Sequence, residues 1–288
     1  MKKILASSLL FLTLLPIPVL ASSKPQVIAS FSIIGDMAHE IGGDNINIKT
    51  LVGTNGDAHE YSPTPSDAKI IANADLVLVN GLGFEGWMAR LVKSSGYKGE
   101  VITLSNGVNA IDGDPHAWQD LANGKIYAAN IRDALIKIDE AHTAKYNANA
   151  AAYIKKLDEL DSWVKVRTAE IPPEKRSVIS THDAFGYFSR AYGINFIAPQ
   201  GISTQSQASG INMAKLIDQI RSSKISVVFL ENMIDPRLMK QLETDAGAHI
   251  GGTLYSDSLS EAGEAAPTYI SMFKHNVQVL IEAIQKTK

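Results

Sequence analysis

Between Ile126 and Ile171 the chain contains neither glycine nor proline. Across that stretch Ile131, Leu135, Ile138, His142, Tyr146, Ala150, Tyr153, Leu157, Leu160 and Val164 recur at steps of three and four. That spacing puts them on one face of a helix. A single helix of this length would run for roughly 60 Å, more than one small domain is wide. Pro172-Pro173 ends the pattern, since proline has no N–H to continue a helix. Such an element is either a long core helix within one domain or a strut that joins two lobes. The same strand-helix rhythm on both sides favours the strut. A break near Thr143, a possible N-cap, would make two helices and leave the two-lobe reading intact.

In the first half, strands are expected at Gln26–Ser32, Ile46–Val52, Leu76–Val79 and Val101–Leu104, with helices at Ile33–Ile41 and Glu85–Val92. Another helix opens on Thr64, Pro65 and Asp67, a cap, a first-turn proline and an acid three residues after the cap. In the second half, strands are expected at Ser177–Thr181, Asn195–Ala198, Ile225–Leu230 and His249–Tyr255. Helices are expected at Ala184–Tyr192, capped by Asp183, at Gly210–Ser222, from Asp235-Pro236 through Asp245, and at Pro267–Gln285. Continuous apolar runs such as Leu76–Val79 are strands covered on both faces. The expected fold is α/β, with two lobes, each a mostly parallel four-stranded sheet flanked by helices, joined by a single long helix. The lobes span residues 22–125 and 172–288, with residues 126–171 as the link.

Residues 1–21 read as a secretory signal peptide: Lys2-Lys3, an apolar run from Ile4 to Leu20 broken by Pro16 and Pro18, and Val19-Leu20-Ala21 for cleavage. Removing them takes away two lysines and no acid, leaving 25 basic against 30 acidic residues, a net charge of −5. No basic block interleaved with aromatics is present, which argues against a nucleic-acid partner. There is no cysteine, so neither a disulfide nor a thiolate metal site is available, nor a lipid on an N-terminal cysteine. The expectation is a periplasmic protein, exported, not lipidated, not inserted in the membrane after cleavage, and monomeric.

Seven histidines are present. His39, His142 and His275 fall in helices without a partner motif, and His249 begins a strand; all four read as structural. His59, His116 and His182 instead follow expected strands, two in the first lobe and one in the second. Ligands of open parallel sheets bind at the carboxyl ends of strands. Asp257 follows the last strand, although an aspartate between serines is also an ordinary turn residue. Three neutral imidazoles and a carboxylate suit a divalent first-row metal.

The chain also resembles the metal-binding class of periplasmic solute-binding proteins that serve zinc and manganese ABC importers. The resemblance covers essentially the whole mature chain. It rests on Asp57-Ala58-His59-Glu60-Tyr61 with Pro63-Thr64-Pro65-Ser66-Asp67, and on Ala74-Asp75-Leu76-Val77 with Asn80-Gly81-Leu82 and Glu85-Gly86-Trp87. Asp114-Pro115-His116, Thr181-His182-Asp183-Ala184-Phe185 and Ser256-Asp257 complete it. It implies two α/β lobes joined by one long helix, a metal held by His59, His116, His182 and Asp257, and an inner-membrane ABC permease as partner. Glu60, Asp114 and Asp183 are candidates to support the ligand imidazoles.

For the cargo, the resemblance leans to manganese. The loop Gly107–Lys125 contains only His116, whereas zinc specialists of the family usually have a His-rich loop there, and often a disulfide. Against this, His182 stands where many manganese members have glutamate, and affinity order favours zinc. Three other readings stay open. A zinc hydrolase would need Glu60 as its base. An extracellular adhesin or a binder of organic ligands would need aromatic or arginine-rich surfaces that the strand-end loops lack.

Overall fold

The computed structural model describes residues 23–205, 210–223, 225 and 227–286. The expected leader at 1–21 and residues 206–209 of the polar loop lie outside them.

The first lobe is a parallel sheet of β1 (Gln26–Phe31), β2 (Asn47–Val52), β3 (Leu76–Val79) and β4 (Val101–Thr103). Its order is β2-β1-β3-β4, with Val27 of β1 level with both Ile48 and Leu76. Helices α1 (Ser32–Gly42), α2 (Pro65–Ala72) and α3 (Met88–Ser95) accompany it. All four residues of β3 are buried, as a strand covered on both faces requires. The start of α2 is the expected capping box. Thr64 accepts from the Asp67 N–H, and the Asp67 carboxylate accepts from the Thr64 N–H. The helix expected from Glu85 begins only at Met88. The Glu85 side chain turns back to accept the N–H groups of Asn80 and Gly81, which keeps that segment a loop.

The linking stretch is two helices, α4 (Leu121–Ile138) and α5 (Thr143–Ala169). The chain breaks at Asp139, whose carboxylate accepts the Tyr146 hydroxyl at 2.6 Å and lies 2.7 Å from His142 Nδ1. Lys125 of α4 reaches Asp158 of α5 at 2.6 Å, and one hydroxyl, that of Tyr192, joins the N–H of Leu121 to Asp161. The two helices are therefore an antiparallel hairpin. The long strut is α5 alone, about 40 Å at 1.5 Å per residue. Its buried face is the stripe read from the sequence, with Tyr146, Ala150, Tyr153, Leu157, Leu160 and Val164.

The second lobe holds β5 (Ser177–Ile179), α6 (Gly186–Tyr192), β6 (Asn195–Ile197), α7 (Gly210–Ser223), β7 (Val227–Glu231), α8 (Arg237–Ala246), β8 (His249–Leu254) and α9 (Tyr269–Lys286). Its sheet is parallel, in the order β6-β5-β7-β8, so strands pair in both lobes in the same sequence. Asp183 does not cap α6, which starts without a side-chain cap. The Asp183 N–H instead bonds the Gly201 carbonyl, and the residues before Gly186 form a tight turn.

One hydrophobic cluster runs from β1 and β3 through α4 and α5 to Phe229 and Phe273 of the second lobe. A smaller one, around Val228, Met239 and Leu242, lies on the far side of the second sheet. The lobes thus share a core on the helical side and face each other across a cleft on the other. Among the described residues, no helix is long and apolar enough to cross a membrane.

Candidate metal centre

His59 lies in the loop after β2. Asp57 Oδ1 accepts the N–H groups of His59 at 2.9 Å and Glu60 at 3.3 Å, the turn that an aspartate two residues upstream makes. Trp87 Nε1 donates to the Ala58 carbonyl at 2.8 Å, and Phe84 packs edge-on against the imidazole. From the second lobe, Gln205 donates to the His59 carbonyl at 2.7 Å.

His116 is carried by the turn Asp114-Pro115-His116. Asp114 Oδ1 accepts the His116 N–H at 2.9 Å and lies 2.8 Å from its Nδ1. Asn80 donates to the Pro115 carbonyl at 2.9 Å, and the Tyr127 hydroxyl of α4 donates to Asn80. The second lobe also grips this turn. The Tyr187 hydroxyl donates to the Asp114 carbonyl at 3.0 Å and accepts from the Ile111 N–H at 2.9 Å. Gly186 leaves room for the Asp114 carboxylate, since a Cβ there would sit 2.3 Å from Asp114 Oδ2 and force it to shift.

His182 and Asp257 follow β5 and β8. His182 Nδ1 is 2.7 Å from Glu231 Oε2, a close contact bent away from the ideal hydrogen-bond line. Trp118 and Gln119 both donate to the Ser256 carbonyl, at 2.8 and 2.7 Å, which fixes the backbone next to Asp257.

Four strand-end loops thus bring the four expected residues together. Asp257 Oδ2 lies 3.3 Å from His59 Nε2, 3.6 Å from His116 Nε2 and 3.1 Å from His182 Nε2. The Nε2 atoms of His59 and His116 are 3.2 Å apart, and all four ligand atoms lie within 4.8 Å of one another. A tetrahedron with metal–nitrogen bonds of about 2.0–2.1 Å has edges of about 3.3–3.4 Å, so these separations match a coordination sphere. His116, His182 and Asp257 are fully buried and His59 nearly so. Asp257 Oδ1, the other oxygen of this carboxylate, is buried without a hydrogen-bond partner.

The electrostatics agree. Burial alone would lower the His116 and His182 imidazoles. The Asp257 and Asp114 carboxylates beside His116 overcome that and raise it, and Glu231 and Asp257 raise His182 well above the ordinary value. Burial would raise Asp257, yet the two imidazoles hold it well below the usual carboxylate range. The cage attracts positive charge, whether protons or a metal.

The remaining histidines lie elsewhere. His39 is within α1, His142 pairs with Asp139, His249 opens β8, and His275 contacts the Thr253 carbonyl. Of the three acids considered as supports, Asp114 backs His116. Glu60 is exposed, and Asp183 faces neither Nδ1. The partner of His182 is Glu231, which sequence reasoning missed. Its one signal is an acid at the carboxyl end of an otherwise apolar strand.

A buried cage of three imidazoles and a carboxylate, drawn from both lobes of an α/β protein, defines a binding protein for a divalent transition metal. The chain belongs to the family described as zinc-uptake complex component A, periplasmic, whose model matches residues 27–283. It is 35% identical over 280 residues to the metal ABC transporter substrate-binding lipoprotein SsaB of Streptococcus sanguinis, covering 92% of this chain and 91% of the relative. To the manganese-binding lipoprotein MntA of Halalkalibacterium halodurans it is 33% identical over 267 residues, covering 91% and 89%. Its structure superposes on the periplasmic zinc-binding protein TroA of Treponema pallidum with a TM-score of 0.87 and 31% identity, covering 91% of this chain and 99% of that one.

The relatives overturn one expectation, that of a free, unlipidated periplasmic protein. SsaB and MntA are both named lipoproteins. A positive, apolar leader is common to released and anchored exports, so it does not separate the two.

Proposed function

We propose that this chain captures a divalent transition metal between its lobes and delivers it to an inner-membrane ABC permease, with manganese the favoured cargo and zinc able to bind. The convergence of His59, His116, His182 and Asp257 on one point carries this reading. In it, residues 22–125 and 172–288 act as two jaws, residues 126–171 as their link, and the protein works as a monomer. MntA is named for manganese and TroA for zinc, so both ions occur as cargo among the relatives. Three imidazoles bind zinc more tightly than manganese by ligand type, so delivery of manganese depends on which ion is available. Ligands from both jaws let the metal hold the cleft shut. The shared core and α5 keep the opening small.

The relatives are transport substrate-binding proteins by name, and the site departs from a hydrolase in one respect. Glu60, the one base candidate read from the sequence, is exposed. Calorimetric titration of metal-free protein with Mn²⁺ and with Zn²⁺ tests the proposal. One equivalent of each should bind, and His116→Ala should weaken both. Zinc binding with no measurable manganese binding would overturn the manganese preference. No binding of either ion, and no metal-dependent rise in melting temperature, would overturn the reading altogether.

A further inference from the structure

The second lobe carries a buried carboxylate outside the ligand set. Glu231 ends β7, and its side chain is fully buried. Three hydrogen bonds and one close imidazole contact converge on it. Oε1 accepts the N–H groups of Thr181 at 2.8 Å and His182 at 3.0 Å. Oε2 accepts the Ser256 hydroxyl and lies 2.7 Å from His182 Nδ1. Ser256 directly precedes Asp257. One side chain therefore ties the loop after β5 to the loop after β8, the two loops that carry the second-lobe ligands.

We propose that Glu231 is a positioning residue for metal capture. It orients His182 with a bare Nε2 toward the cargo and sets Asp257 through Ser256. The proposal rests on the reading of the cage as the capture site. A carboxylate offers only lone pairs, so an Nδ1 that faces it carries the proton and Nε2 is left free. Glutamine has the same shape but one oxygen and one NH₂ group. Whichever way its amide turns, the NH₂ meets two donors, either the backbone pair or the pair of His182 and Ser256. Turned toward His182, it makes Nδ1 an acceptor and moves the imidazole proton to Nε2, where the metal would bind.

The test is Glu231→Gln beside the wild type, each titrated with Mn²⁺ and with Zn²⁺. The variant should keep the wild-type circular dichroism and lose about 10–100-fold in affinity for both ions, the usual effect of losing a carboxylate behind a metal-binding imidazole. A second readout separates positioning from mere structural support. In metal-free protein labelled with ¹⁵N-histidine and held at alkaline pH, where the imidazoles are neutral, His182 of the wild type should carry its proton on Nδ1 and that of the variant on Nε2. Equal affinities, or an Nδ1 proton on His182 in the variant, overturn the proposal. If the variant does not fold, the wild type decides, and a His182 protonated on Nε2 there overturns it. Wild-type protein that binds neither ion would overturn the capture reading, and the role of Glu231 with it.

Discussion

Acidification should weaken metal binding more steeply, and from a higher pH, than unshifted imidazoles would allow. His116 and His182 both sit above the ordinary histidine value, and Asp257 lies well below the ordinary carboxylate value. The two imidazoles of the metal-free cage therefore keep their protons to a higher pH than free histidine does, around a carboxylate that stays charged. Ligation needs both Nε2 atoms bare, so metal entry displaces up to two protons. Two protons displaced give about two decades of affinity per pH unit, or about 2.7 kcal/mol at 1.36 kcal/mol each. A site of unshifted imidazoles would flatten above roughly pH 6.5; this one should stay steep beyond it. Because the folded values are raised, the protons stabilise the metal-free fold below the unfolded value, and that stability is lost as pH rises through the raised values. Proton and metal compete for one negative pocket, so the gain in melting temperature on metal binding should grow with pH. Calorimetry between pH 6 and 8.5, in buffers of different ionisation heat, counts the protons released. Fewer than one proton per metal, or an affinity that is flat between pH 7 and 8, would refute this reasoning.

Metal at a hundredfold excess over its Kd should add about 2.7 kcal/mol to stability. For a chain of this size that lifts Tm by roughly 5–10 °C in a melting scan, and an unchanged Tm would contradict it. Gly186→Ala places a Cβ 2.3 Å from Asp114 Oδ2, which must push that carboxylate off His116. The variant should bind Mn²⁺ and Zn²⁺ several-fold more weakly with its secondary structure intact, and unaltered titrations would show that Asp114 does not matter for binding. Asp36 accepts the Tyr269 N–H at the start of α9, and burial pushes its carboxyl up to about 6. A carboxyl raised in the fold destabilises it above that value, and asparagine keeps the acceptor without the charge. Asp36→Asn should therefore raise Tm at pH 7.5 and not at pH 5; equal shifts at both would count against the argument.

Local rules made much of the architecture legible. Apolar runs located β3 and β7, a cap and a proline located α2, and the three-four stripe located the buried face of α5. A break near Thr143 was foreseen as possible and α5 begins there, but the fold-back of α4 on α5 was hidden because no glycine or proline makes it. Its turn depends on the Asp139 carboxylate meeting Tyr146 and His142, and nothing in the helical periodicity marks that. The start of α3 was misplaced for the same kind of reason, a Glu85 side chain folded back on the backbone of residues 80 and 81. The three histidines and Asp257 stood out because parallel strands deliver their following loops to one end of a sheet. Glu231 did not, because it supports a residue 49 positions away, and sequence adjacency pointed to Asp183 instead.

The two sheets share a strand order, yet the chain uses them differently. His116 follows β4 and Asp257 follows β8, the same edge of each lobe. His59 and His182 follow β2 and β5, which are not equivalent. Although His116 belongs to the first half of the sequence, its turn is held from the second lobe by buried bonds, from Tyr187 to Asp114 and from Trp118 and Gln119 to Ser256. The loop that leads to His59 is held by two kinds of contact. Asn232 meets Asn55 and Thr54 meets Glu261 at exposed positions, and Gln205 holds the His59 carbonyl from a partly buried one. The Leu259 N–H, however, bonds the buried Ser32 hydroxyl at 3.0 Å, and the Asn55 N–H bonds the Leu259 carbonyl at 2.9 Å. Exposed polar pairs exchange readily for water, whereas a buried donor or acceptor left unpaired costs about 1–3 kcal/mol. Buried bonds thus join the lobes on the His116 side and on the His59 side of the cage, so loss of the metal should open it only slightly. A metal-free structure that swings His59 and His116 far from His182 and Asp257 would contradict this.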